Sequence, residues 1–219
     1  MLKSLPRSQQ IFLVDDEAPP RRAFAALIQL DGRYSVCGEA ESAEQALQRL
    51  SDADPTIVLT DLKMVGPDGI QLTKAIRTET PTVRTLVLSS HDESLFAERA
   101  ILAGASGYVM KGDAALQLFD ALDTVAHGGI HLSRPMWRAL YREPSGSLSK
   151  PEHRRLLQII GLGNPPLHEV ADAMGMGETA TRALLFEVME ALNLHSETQV
   201  RLFAAQERAT DAQPQRSSA

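Results

Sequence analysis

Five short apolar runs rich in β-branched residues recur along the first part of this 219-residue chain, and a longer segment of helical spacing follows each one. The runs are "IFLV" (11–14), "YSVCG" (34–38), "TIVLT" (56–60), "TLVLS" (85–89) and "GYVM" (107–110). The helical segments carry their own punctuation. "PPRRAFAALIQL" opens on prolines suited to a first turn and sets Phe24, Leu27 and Ile28 on one face. "SAEQALQRL" pairs Ser42 with Gln45 three residues on, a capping-box pattern. "GIQLTKAIR", "DESLFAERAILAG" and "DAALQLFDALDTVAHGG" behave likewise, and the last two close on glycine. Strands alternating with helices in this way predict an α/β fold built on a doubly wound, five-stranded parallel sheet.

Such a sheet binds its ligand beyond the carboxyl ends of its strands. The first run ends in Asp15-Asp16, the third in Asp61, the fourth in Ser89-Ser90 and the fifth in Lys111, so the polar candidates all fall at that edge. Three carboxylates with one lysine make a hard-cation site with a charge partner, and carboxylates with backbone carbonyls suit Mg²⁺. A carboxylate beside Mg²⁺ can act as a nucleophile and carry an acyl phosphate, with the metal and Lys111 neutralising charge on the transferring group. Any one of these residues alone would read as a solvated turn or a surface charge. Their joint placement is what points to chemistry.

Other site classes find little support. Cys37 is the only cysteine, which excludes an internal disulfide and argues against a cysteine-based zinc site. His91, His127 and His131 lack spaced ligand partners. The longest apolar runs are strand-length, which predicts no membrane span. "MLKSLPRSQQ" lacks a secretory pattern, so a cytoplasmic location is expected. The formal charge is −6. Residues 1–133 hold 18 Asp and Glu against 12 Lys and Arg, and residues 148–208 hold 8 against 6. Neither part is basic, which argues against general affinity for polyanions.

The chain divides by composition into 1–133, a linker over 134–147 with one short helical piece, an all-helical region over 148–208, and a polar, disordered tail over 209–219. In the helical region, "PPLHEVADAMGM" and "GETATRALLFEVMEALNL" meet at a tight Met-Gly-Met-Gly turn, which suits a helix-turn-helix bundle.

With those residues in view, 9–131 resembles the receiver domain of two-component response regulators, carried by "LVDDE", "LTDLKMVGPDG", "LVLSSHDE" and "AGASGYVMKG". The resemblance implies a flavodoxin-like fold and phosphorylation of Asp61 from a cognate histidine kinase. It implies Mg²⁺ on Asp16, Asp61 and the backbone carbonyl of Lys63, with Asp15 acting mostly through water. Ser89 would bond the phosphoryl group, Lys111 would neutralise it, and Tyr108 would change rotamer. The helix from about Asp92 to Ala103, with its neighbours, would form the output surface and often a homodimer surface. Val65 stands where the family usually has proline.

The second region resembles the DNA-binding output domain of the NarL/FixJ (LuxR-type) regulators, in degenerate form. "EVADAMGM" matches the helix and turn before recognition and "LNLHSETQV" the stretch after it. "GLGNPPLHE" is about two residues longer than the family loop and carries two prolines. On the recognition helix, Thr181, Leu184, Leu185, Val188 and Leu192 gather on the core side, while Thr179, Arg182, Ala183, Phe186 and Glu190 face the other way. A DNA-reading helix offers Lys, Arg, Asn or Gln to phosphates and base edges. Here Arg182 is the one cation, among apolar residues and with Glu187 and Glu190 nearby.

Two outputs therefore stand side by side, transcription control through DNA and control through protein contact, beside the plainer reading that Phe186 is core. An enzyme, such as a metal-dependent phosphatase with Asp61 as nucleophile, lacks a second general acid and a substrate cap, so no enzyme is expected.

Overall fold

The structure is a computed structural model, which describes residues 8–90, 94–141, 146–194 and 196–212. The strands are β1 (Gln9–Val14), β2 (Tyr34–Ala40), β3 (Ile57–Asp61), β4 (Arg84–Ser89), β5 (Gly107–Met110) and β6 (His131–Leu132). Between and after them come α1 (Ala18–Ile28), α2 (Ala43–Ala53), α3 (Gly69–Glu79), α4 (Ser94–Ala103), α5 (Ala114–Ala126) and α6 (Arg134–Leu140). A 3₁₀ turn at Lys111–Asp113 precedes α5. The helical region is α7 (Pro151–Ile160), α8 (Leu167–Met174), α9 (Glu178–Leu192) and α10 (Glu197–Ala212).

The strands pair in the order β2-β1-β3-β4-β5-β6, every pair parallel. The five strands predicted from the apolar runs are all present, and the two-residue β6 extends the edge, too short to leave a period in the sequence. The chain order reverses between β1 and β3, which is where a crevice opens in a sheet wound on both faces.

Alternation along the strands builds the two cores. Ile11 and Leu13 of β1 face α1 and α5, while Phe12 and Val14 face α2 and α3. Strands covered on both faces read as continuous apolar runs, and all five residues of β3 are buried. The caps differ in detail from the sequence pattern. Ser42 accepts from the Gln45 amide, but the Gln45 side chain turns back to the Glu41 amide, so the reciprocal box is incomplete. The full capping box is at α3, between Asp68 and Gln71.

In the helical region α8 ends on Gly175 in the left-handed conformation (φ 72°) and Gly177 caps α9. The left-handed Gly175 lets the chain reverse within the Met-Gly-Met-Gly turn. The core here is Leu156, Ile160, Val170, Leu185, Val188, Leu192 and Val200. Residues 134–141 of the expected linker hold more order than a linker requires. Met136 and Leu140 of α6 are buried with Ala97 and Ile101 of α4, and with Leu202 and Ala205 of α10. Residues 209–212 of the expected tail belong to α10, because "RATDA" contains no helix breaker before Pro214. The rest of that tail, residues 213–219, lies outside the described residues, as do His91 and the expected helix start at Asp92. Among the described residues no helix is long and apolar enough to cross a membrane.

The long loop between α7 and α8 fastens the helical region to the sheet. Asn164, with left-handed backbone (φ 59°) and 3% exposed, donates through Nδ2 to the carbonyls of Ile101 (3.0 Å) and Ala105 (3.1 Å). Its Oδ1 accepts from Nη1 of Arg201. The same Nη1 donates to the Pro165 carbonyl at 3.0 Å, where Arg77 of α3 also donates at 3.0 Å. Arg201 is only 1% exposed, and Glu197 one turn earlier answers its charge at 2.6 Å. A buried charge that is paired and fully bonded is tolerated where a lone one is not.

Candidate functional site

The carboxyl ends of β1, β3 and β5 converge. Asp15 and Asp16 leave β1, Asp61 ends β3, and ligand oxygens of all three lie within 4.8 Å of one another. Lys111, just past β5, donates to Asp15 Oδ2 at 2.8 Å and lies 2.8 Å from Asp61 Oδ1. Asp15 and Asp61 are 3% and 7% exposed. Burial raises the Asp61 pKa above the ordinary carboxylate value, against the pull of Lys111 and with the help of the Asp15 charge. Burial alone would depress the Lys111 ammonium, but its bonds to Asp15 and Asp61 outweigh that and hold it above the usual lysine value.

Backbone amides aim the other oxygens. The Glu17 amide donates to Asp15 Oδ1 at 2.9 Å, and the Val65 amide donates to Asp16 Oδ2 at 3.0 Å. The second bond gives the unusual Val65 a physical meaning. A proline has no amide hydrogen, so that bond exists only because proline is absent. Val65 itself is 83% exposed, so its side chain contributes little.

The remaining predicted pocket residues lie on β4, β5 and the loop after β3. Ser89, fully buried, ends β4 one position beyond Leu88, the residue that pairs with Asp61. Tyr108, also fully buried, pairs with Val87 and packs on Ala97, Ala100 and Ile101 of α4. Ser89 follows Val87 by two residues, so it shares the α4 face of the sheet. The Lys63 ammonium turns away to the Phe96 ring, 5.9 Å from its centroid, which leaves only its backbone carbonyl for the pocket.

Sequence reasoning missed Gly69. A Cβ at this position would fall 2.1 Å from the Asp61 carbonyl oxygen, so only glycine lets α3 start this close behind the phosphoacceptor candidate. The available signal was the Asp-Gly pair that opens α3. The clasp formed by Asn164, Arg77 and Arg201 was missed as well, although the lengthened loop with two prolines marks its place.

On α9, Thr181, Leu185, Val188 and Leu192 are buried and Leu184 half-buried. Thr179, Arg182, Ala183 and Phe186 are exposed. Phe186 is 59% exposed and therefore not part of the core. Glu187 pairs with Lys150 at 2.5 Å and with His153 at 3.2 Å, and these partners hold its carboxyl below the usual value. Part of the acidity of this face is thus already answered from α7 and the residue before it.

Comparison with known proteins gives a consistent picture. The family model described as the response regulator receiver domain matches residues 11–123. The DNA-binding transcriptional activator DevR/DosR of Mycobacterium tuberculosis is 30% identical over 207 residues, covering 90% of this chain and 94% of its own length. A LuxR-family two-component response regulator from Aurantimonas sp. SI85-9A1 is 34% identical over 60% of this chain and 94% of its own, with a TM-score of 0.58. The RcsB response regulator of Salmonella typhimurium covers 92% of this chain and 100% of its own, with a TM-score of 0.58. At 20% identity it speaks to the fold alone.

Proposed function

The chain belongs to the response regulators of the NarL/FixJ type, and on that premise we propose that phosphorylation of Asp61 switches it and that it regulates transcription through its C-terminal helices. The single observation that carries this reading is the placement of Asp61 between two further aspartates and the Lys111 ammonium.

An oxygen of the ionised Asp61 carboxylate attacks the phosphorus of the donor, the phosphohistidine of a cognate kinase. The P–N bond breaks as the P–O bond forms, and the electron pair returns to the imidazole. Lys111 answers the charge that gathers on the phosphoryl oxygens, at a point where burial keeps water from screening it. The oxygen-only donor set of Asp15, Asp16, Asp61 and the Lys63 carbonyl fits Mg²⁺. That ion, when bound, supplies further positive charge beside the same oxygens.

A phosphoryl group adds charge and acceptor oxygens, so it switches the protein only by pulling on an element with two arrangements. Ser89 lies at the same edge, and Tyr108 on that face of the sheet touches α4. Asn164 grips the Ile101 carbonyl in the last turn of α4 and the Ala105 carbonyl just after it. A shift of α4 therefore reaches the helical region through Asn164 and Arg201, and a second copy of the chain meets the same surface in a homodimer.

The similarity to a DNA-binding activator supports DNA as the target of α9. One specific observation favours protein contact instead. The exposed face of α9 offers Phe186 and Ala183 around the one cation Arg182, whereas electrostatics usually supplies most non-specific DNA affinity. Binding of the phosphorylated full-length protein to a promoter pool, titrated with salt from a low starting concentration, separates the two. DNA output gives a complex that weakens steeply with salt. No complex at low salt, together with a protein partner lost on Phe186→Ala, assigns α9 to protein docking.

A further inference from the structure

Two arginines meet across the junction between the sheet and the helical region. Arg84 opens β4, and Arg208 lies on α10 seven residues after Arg201, on the same helix face. The Arg84 guanidinium packs so tightly on the loop that a Cβ on Gly163 would fall 2.0 Å from its Nη1. Both guanidiniums also press on Gly128, where a Cβ would fall 2.4 Å from Arg208 Nη1 and 3.3 Å from Arg84 Nη2. Among the described residues neither arginine pairs with a carboxylate. Arg208 donates to the Gly161 carbonyl at 3.3 Å, whereas the Arg84 guanidinium makes no hydrogen bond among the described residues. Burial first, and then the charge of Arg208, push Arg84 below the ordinary arginine value.

Beside this pair lies a polar cleft of about 100 Å³ lined by Arg77, Arg84, Gly163, Asn164, Pro165 and Glu169, among others. Arg77 spends Nη1 and Nη2 on the carbonyls of Leu102 and Pro165, but its Nε is buried with no acceptor. Glu169 is the one carboxylate on the lining, and Glu197 is already committed to Arg201. Two arginines, Arg77 and Arg84, thus line a small polar space with a single acid, and the charge of Arg208 lies behind Arg84, in a chain whose formal charge is −6. Like charges held together at partial burial repel unless an anion answers them, and a buried donor without an acceptor is costly.

We infer that this cleft binds a free, compact oxyanion of the phosphate or sulfate class, held by the Arg84 fork and Arg77 Nε, and that the anion ties the helical region to the sheet. The guanidinium fork matches the oxygen spacing of such anions. The space admits one small ion and excludes a nucleotide, whose pockets are several times larger. An anion that binds only the docked arrangement stabilises it by mass action. The inference does not rest on Asp61 chemistry, so it can be tested with that chemistry removed.

The test is thermal unfolding of the full-length Asp61→Asn chain in EDTA, in sodium chloride and then in sodium sulfate or inorganic phosphate at matched ionic strength. Both oxyanions are expected to raise Tm saturably. In Arg84→Gln the half-saturating concentration rises by about tenfold or more, equivalent to about 1.4 kcal/mol. In chloride alone Arg84→Gln melts no lower than its parent, because a repelling charge has gone, which separates lost binding from lost folding. The general salting effect of sulfate acts on every variant without saturating. An equal sulfate response in parent and Arg84→Gln, or no saturable response in the parent, overturns the inference.

Discussion

The Lys111 ammonium lies 2.8 Å from the Asp61 carboxylate, and it holds Asp15 at the same distance. One cation thus answers two acids that are almost fully buried. Removing it leaves both without a charge partner. Lys111→Met is expected to lower stability at neutral pH by about 3 kcal/mol, the scale for breaking a buried pair from one side. Because Lys111 has a raised pKa in the fold, its contribution is complete below the unfolded lysine pKa and is lost only as pH rises through the higher folded value. In the variant, the loss shrinks on acidification as the Asp61 carboxyl takes up a proton. Chemical denaturation over a pH series checks both statements.

Asp61 has the same sign of linkage, at lower pH. Its folded pKa is raised, so its ionisation opposes folding, and that penalty is absent at low pH and appears as pH rises through the folded value. Protons therefore compete with a metal ion at Asp61 at higher pH than at an ordinary carboxylate. Mg²⁺ affinity, measured calorimetrically, should fall on acidification before the usual carboxylate range is reached. Asp61→Asn should weaken it by about tenfold or more at neutral pH, or about 1.4 kcal/mol.

Gly69 tests how tightly the phosphoacceptor strand is backed. The Cβ of Gly69→Ala would sit 2.1 Å from the Asp61 carbonyl, so β3 and α3 must separate. The expected cost is about 1–3 kcal/mol, as for overpacking in a core. The rate of labelling by acetyl phosphate should fall with it. A variant with unchanged stability and rate would show that the contact is slack.

Asn164→Gly keeps the left-handed backbone and deletes the side chain that joins the carbonyls of Ile101 and Ala105, at and just past the end of α4, to Arg201. Leaving those groups unpaired should cost about 1–3 kcal/mol. Hydrogen exchange should then speed up in residues 161–166 and at the end of α4. If exchange rises elsewhere but not there, the clasp does not hold the two regions together.

Phe186 is exposed, so replacing it should alter stability by no more than about 0.5 kcal/mol. The two outputs diverge at this residue. If α9 reads DNA, Phe186→Lys adds one phosphate contact and steepens the salt dependence of binding by about 0.9 in log–log slope. If α9 docks a protein, the same change abolishes that contact.

The acidic pocket was legible because its chemistry lies at strand ends, where the fold rule alone says to look. Asp15, Asp16, Asp61 and Lys111 needed only the positions of β1, β3 and β5. The buried and exposed sides of α9 followed from its 3.6-residue period. What escaped was non-local. Arg201 reads in sequence as an ordinary polar residue of α10, and only the fold reveals that it is buried against a loop 36 residues away. Gly69 escaped because close approach is a property of two elements, while β6 and the last turn of α10 were too short or too polar to mark themselves.

The most direct test of the account is incubation of the full-length protein with acetyl phosphate and Mg²⁺, read by intact mass beside a known receiver. The account predicts one added phosphoryl group on the wild type, none on Asp61→Asn and none in EDTA. An unmodified wild-type chain under conditions that label the known receiver would contradict it.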